Sequence, residues 1–290
     1  MSPSTMIRAF VASLTAGASY AIFGICIVLI YRMAGTLNFA TTAVGAMGAF
    51  SMLALLDNGV PIFQAATVAL IVGVLLGAAL GATFAALFRD HQPLTRSTVT
   101  IAVLLGMLAA GFRIFGDSPR ASQPFLPGRF VEVAGVRITF DTMIAVTVAL
   151  VVTTAASVVL VRTRVGIRLR AMSQDAITAE LNGVPVAALT AAVWGVAGLL
   201  AALGAILVGP SRPPAFAPMV FLLLPGLAAA LAGRFERVWP TLGAGFAIAF
   251  LEAYSARLPG ISRYRAAVPF FLILALLLWQ RRDEVWDDAR

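Results

Sequence analysis

Lysine is absent from this 290-residue chain, and all 21 basic residues are arginine. A P-loop sets a lysine on the β- and γ-phosphates of its nucleotide. The chain therefore carries no Walker-type ATPase site, and any ATP that drives it is hydrolysed by a partner. Cysteine occurs once, as Cys26. That excludes an internal disulfide, and a single thiol within an apolar run reads as packing. Histidine also occurs once, as His91 in a polar link, which excludes a histidine-rich metal site. Charge is scarce at 12% of residues, against about 25% in a soluble domain. An integral membrane enzyme needs Asp, His or Cys clustered at site spacing, and no such cluster is present.

What fills the chain is hydrocarbon. Apolar residues make up 60% of it, and the mean hydropathy is +0.95. A helix of about 20 apolar residues spans a bilayer core of about 30 Å. Such runs cover 7–31, 38–56, 62–88, 98–115, 142–161, 187–208, 219–232, 238–256 and 264–279. The expected fold is an all-α polytopic membrane protein with about nine spans, forming a single transmembrane permease domain over residues 1–290. The run 219–232 is short and contains Pro225-Gly226, so it is expected to be broken or re-entrant, and an eight-span count stays open. The first run is too long for the core of a cleaved signal and reads as a retained helix. A net charge of +8, scattered among the spans, suits anionic membrane lipid and not nucleic acid.

Links at Arg32, 89–96, 162–181 and 234–237, with the tail from Arg281, are expected on the cytoplasmic side. Asp57, 116–141, 211–218 and 257–263 are expected outside. The densest juxtamembrane cluster is Arg162, Arg164, Arg168 and Arg170, which the positive-inside rule puts in the cytoplasm. With nine spans the N-terminus lies outside. Within the outer loop, about 116–141, residues 129–140 alternate apolar and polar around Ala134-Gly135 and read as a small β-hairpin.

The most informative link, about 162–186, contains Leu169, Met172, Ala176 and Ala179 at three- and four-residue steps, an apolar stripe on a short helix. Gly183 supplies a left-handed cap, and Pro185 stops continuation. A helix this short does not bury its stripe against itself. It docks on a partner or lies on the membrane surface.

Gly166, Arg170, Ala171, Asp175, Ala179, Leu181 and Gly183 resemble the cytoplasmic loop of permeases in the branched-chain amino acid ABC importer family, typically G-x-x-x-R-A-x-x-x-D-x-x-x-A-x-x-x-G. The resemblance runs over nearly the whole chain. Gly17-Ala-Ser-Tyr-Ala21 is similar to the family's first-span entry. Asn38-Phe39-Ala40 with Gly45 and Gly48-Ala49 is similar to its second-span start. Gly243-Ala-Gly245 and Leu251-Glu252-Ala253 are similar to its late glycine-rich span. The resemblance implies a permease paired with a homologous second permease, two ATP-binding cassette ATPases and an extracytoplasmic solute-binding protein. ATP and Mg would sit on the ATPases, with no cofactor on this chain. It also implies that the matched loop couples to the ATPase through Gly166, Leu169, Arg170, Ala171, Met172, Asp175, Ala176, Ala179 and Gly183. Two departures bear on the solute. Thr41-Thr42-Ala43 stands where the family has His-Gly-Glu, and Ala232-Gly233-Arg-Phe-Glu-Arg237 replaces a Gly-Gly-x-Gly-Ser stretch.

The expected solute path follows Thr36, Asn38, Thr41 and Thr42, where a broken helix would leave backbone groups for a polar solute. The plainer reading of Asn38 is an N-cap. Glu252 is an acid within an apolar run and is expected to pair with an arginine such as Arg113. The runner-up function, an ion-coupled secondary transporter, needs paired buried ionisable residues or inverted half-helices. Glu252 and Arg113 are its sole candidates.

Overall fold

A backbone surrounded by lipid must satisfy its own polar groups, which leaves helices as the economical solution for long apolar runs. The computed structural model describes residues 3–89, 91–120, 122–133, 136–211, 214–258 and 262–287. Its helices are α1 (Pro3–Ala34), α2 (Thr41–Asp57), α3 (Ile62–Leu87), α4 (Pro93–Phe115), α5 (Phe140–Arg162), α6 (Arg164–Gln174), α7 (Ala176–Leu181), α8 (Val186–Val208), α9 (Phe216–Val220), α10 (Leu223–Ala232), α11 (Val238–Ser255) and α12 (Val268–Asp287). Among the described residues, α1, α3, α4, α5 and the helix from Val186 are long and apolar enough to cross a membrane. Shorter apolar helices cover 41–57, 216–232 and 264–279. The chain is a polytopic, all-α membrane protein.

The centre is α1, which packs against α5, α8, α10 and α11. Its run from Ala18 to Val28 includes Tyr20, Ile22, Phe23, Ile25 and Cys26, each essentially without exposure. The outer helices show aliphatic side chains such as Leu75 and Leu105, the surface that lipid covers. Small residues bring helices together where no hydrophobic force does so in lipid. Gly73, Gly77 and Gly81 of α3 meet α8 around Trp194 and Gly198.

The two ends of the bundle gather the links as the charge reading expects. At one end, Arg32 Nη1 donates to the Glu236 carbonyl at 3.2 Å, and Arg89 pairs with Glu180. At the other, Arg120 pairs with Asp57 at 2.9 Å, and the Asp141 carboxylate accepts from the Phe125 and Leu126 amides at 3.1 and 3.3 Å. That second end carries the antiparallel hairpin of β1 (Phe130–Val133) and β2 (Val136–Thr139), with Val133 opposite Val136. Its turn at Ala134-Gly135 lies outside the described residues, as do 259–261 and 288–290.

The short apolar run is broken, but not at Pro225-Gly226. The interruption falls at Phe221 and Leu222, between α9 and α10. Pro225 is the third residue of α10, where an N–H would have no intrahelical acceptor, so proline costs nothing there.

Candidate functional site

The loop between α5 and α8 is built almost entirely from its motif residues. Thr163 ends α5 and caps α6, accepting from the Gly166 amide at 3.2 Å. A Cβ on Gly166 would strike the carbonyl oxygens of Val159 and Leu160, so only glycine lets α6 fold back under the end of α5. Arg170 Nη1 donates to the Leu160 carbonyl at 2.5 Å, satisfying an acceptor that the helix end leaves open. Asp175 then interrupts the helix. Its carboxylate accepts from the Ile177 and Thr178 amides at 2.9 and 3.1 Å and from the Thr178 hydroxyl at 2.6 Å. The Thr178 hydroxyl and amide hold the Asp175 carboxyl below the usual carboxylate range, so it is ionised at neutral pH. Gly183, at φ +79°, closes α7: its amide donates to Glu180 O at 2.9 Å, and Val184 donates to Ala179 O at 3.0 Å. That is the paired bonding of a Schellman cap.

Two expectations about this loop change. The single helix is two, α6 and α7, because Asp175 caps the second. The stripe is also covered from within the chain. Leu169, Met172 and Ala179 are buried in the common core and Ala176 is partly so, because α6 packs on α1 and α5 and α7 packs on α6 and α8. What the loop shows to solvent is a different set: Ile167, Ile177 and Leu181 are 59%, 61% and 83% exposed.

At the same end, α1 stops at Gly35 (φ +60°), and 36–39 run without helical hydrogen bonding to α2. The Asn38 carboxamide oxygen accepts from the Ala40 amide at 2.9 Å, and the Thr41 hydroxyl donates to Asn38 O at 3.1 Å. The Thr42 hydroxyl donates to Val220 O at 2.7 Å, tying the start of α2 to the break after α9. Thr36 donates to Ala34 O at 3.0 Å. All four side chains are buried. Residues that the sequence reading missed complete the segment. Ser97 and Thr100 of α4 accept from the Leu37 and Phe39 amides at 3.2 and 3.1 Å. Their i, i+3 spacing on an apolar helix was the available signal. Thr100→Val should leave the Phe39 amide buried and unpaired, costing about 1–3 kcal/mol. Thermal unfolding of the purified chain should show a lowered midpoint that Thr100→Ser largely restores. An unchanged Val variant would mean that this bond is not needed.

Cavities flank this segment. A small void touches Asn38, Thr41, Val44 and Trp194. Trp194 also lines a cavity of about 310 Å³ at the arginine-rich end, together with Thr36, Arg89, Arg96 and Met172. A third cavity of about 430 Å³, mostly apolar, is bordered by Tyr20 and Glu252. The Glu252 carboxylate accepts from the Tyr20 hydroxyl at 2.6 Å. It forms no ion pair with Arg113: α4 packs on α2 and α9, whereas α11 packs on α1, α5 and α10. Arg113 is therefore not the arginine that Glu252 meets, because the two helices do not face each other. Among the described residues no three His, Cys, Asp or Glu side chains converge to hold a metal.

Residues 9–277 match the family model described as the permease component of the branched-chain amino acid transport system. The chain is similar to the high-affinity branched-chain amino acid transport system permease protein BraD of Pseudomonas aeruginosa, with 25% identity over 292 residues. That match covers 94% of each chain. No solved structure matches it.

Proposed function

The chain belongs to the branched-chain amino acid transport permease family, and from that premise we propose that it is one transmembrane half of an ATP-driven importer for branched-chain amino acids or similar small polar solutes. As a family member it is a multi-pass inner-membrane transport component and not an enzyme. In the proposed assembly a homologous permease completes the path. Two ATPases dock on the arginine-rich end and hold ATP and Mg, and an extracytoplasmic binding protein delivers the solute at the hairpin end. Residues 1–290 act as one permease domain. Counting α9 and α10 as one broken crossing gives nine spans, with the N-terminus outside and the loop between α5 and α8 in the cytoplasm.

The observation that carries this reading is the build of that loop. The α6 part of its stripe is seated on α1 and α5 while Ile167, Ile177 and Leu181 are exposed. A push on the exposed side chains is thereby passed to the bundle core through Leu169 and Met172 and through the Arg170 clamp. Gly166, Asp175 and Gly183 set the corner, and Ala171, Ala176 and Ala179 keep it thin. The solute passes beside the start of α2, along Thr36, Asn38, Thr41 and Thr42. Asn38 borders the void beside Trp194, which supports a transient contact with a polar solute.

Reconstitution tests the reading. Proteoliposomes holding the chain with its partner permease and ATPases, supplied with the binding protein, should take up labelled leucine only with ATP. Liposomes with the chain alone should take up none. Uptake by the chain alone would refute the importer reading. Asn38→Leu should cut uptake several-fold, since one weak hydrogen bond is worth roughly 0.5–1.5 kcal/mol. Wild-type uptake in both Asn38→Leu and Thr41→Val would move the path elsewhere.

A further inference from the structure

We propose that the cavity at the arginine-rich end is a binding site for a small aliphatic carboxylate, received by Arg96 beside Trp194. The cavity holds about 310 Å³ between the end of α1, the end of α3, the starts of α4 and α8, and the corner from α6 to α7. That is the lower end of the range for pockets that take a discrete ligand.

Its described lining residues include two arginines and no Asp or Glu. Arg89 pairs with Glu180. Arg96 donates to the Arg89 carbonyl, and it has no acidic partner among the described residues. Its Nε is buried without an acceptor, and so is the indole nitrogen of Trp194, a residue only 3% exposed. These two nitrogens are the buried side-chain polar atoms left unsatisfied among the described residues, and both belong to residues that line one cavity. Native proteins rarely leave such donors bare, and an unmet pair points to a missing acceptor. A carboxylate offers about four lone-pair positions and its strongest partner is a guanidinium. The rest of the wall includes Met33, Phe84, Met172 and Val186, which suits a short hydrocarbon chain.

One wall is residues 172–174 with Ala176, on both sides of the break at Asp175. A carboxylate on Arg96 would bridge α4 to this corner and hold the loop against the bundle. Resting on the importer reading above, the expected consequence is product control: solute accumulated in the cytoplasm occupies the cavity and slows ATP hydrolysis.

The full chain in phosphatidylcholine nanodiscs, probed with tritiated L-leucine, tests the site. Leucine should bind, and 4-methylpentanoate, which keeps the carboxylate, should displace it. L-leucinol, which lacks the carboxylate, should not. Arg96→Gln should weaken binding at least tenfold, Arg96→Lys less, and Trp194→Phe about threefold. No binding, equal displacement by leucinol, or unchanged binding in both Arg96→Gln and Trp194→Phe would overturn the proposal. So would loss of leucine binding when phosphatidylglycerol is added to the discs, which would give the site to a lipid phosphate. In the assembled importer, leucine on the ATPase side should slow hydrolysis several-fold in wild type and not in Arg96→Gln. Hydrolysis indifferent to leucine would overturn the regulatory consequence. The two readings fail separately: ATP-driven uptake without Arg96-dependent binding sinks the site alone, and binding without any uptake sinks the importer alone.

Discussion

Leu181→Asp combined with Ile177→Asp should leave the permease folded in the membrane and reduce ATP-driven uptake by ten- to a hundredfold. Both side chains are more than half exposed, and surface substitutions of that kind usually shift stability by less than about 0.5 kcal/mol. A large loss of uptake would therefore report a partner and not the fold. In the proposed complex the ATPase covers these residues, and a carboxylate driven into an apolar contact costs about 1–3 kcal/mol or more, with each 1.4 kcal/mol worth about tenfold. The periodicity of the sequence would have chosen Met172→Asp instead. Met172 is buried against its own chain, so that variant would unseat the loop whether or not an ATPase exists. ATPase stimulation and leucine uptake at wild-type levels in the double variant would show that no partner sits on this face.

The contrast shows what the sequence could and could not convey. Local signals were legible: every long apolar run became helix, the alternation in 129–140 became a paired ladder, and Gly183 took the left-handed cap. Asp175 was readable as a cap too, since Asp is a favoured N-cap, yet the apolar stripe ran through it as one helix. Periodicity tells which residues share a face, but not what covers it. Here part of the cover comes from α1, more than 100 residues away in sequence. The same limit applies to Glu252. Its position in an apolar run announced a carboxylate in need of partners, but one of them, Tyr20, lies 232 residues earlier and carries no charge to guess from. Likewise Arg96 and Trp194 are far apart in the chain and unremarkable singly. Only the fold brings the two residues to one cavity.

Gly198→Val should abolish accumulation of folded permease, a larger effect than any substitution at the loop. Helices in lipid gain little from hydrophobicity at their contacts and depend on close approach. In α8 a Cβ at Gly198 would overlap the Gly73 carbonyl of α3, and a Cβ at Gly73 would reach the Gly198 carbonyl at 2.5 Å. The obstruction is backbone on both sides, so no rotamer relieves it and the helices must part. Overpacking typically costs about 1–3 kcal/mol, occasionally more, and valine adds two methyl groups beyond that first carbon. Separation would also open the contact of Gly77 with Trp194 one turn along, and with it the wall between the Asn38 void and the arginine-rich cavity. Gly106 is the control: a Cβ there meets nothing within 4 Å, and Gly106→Ala should be neutral or slightly stabilising because alanine favours helix by about 1 kcal/mol. Detergent extracts run by size exclusion, with thermal midpoints, read both outcomes. A monodisperse Gly198→Val permease with a wild-type midpoint would mean that α3 and α8 tolerate separation, and that the close glycine contact is not what fixes the bundle.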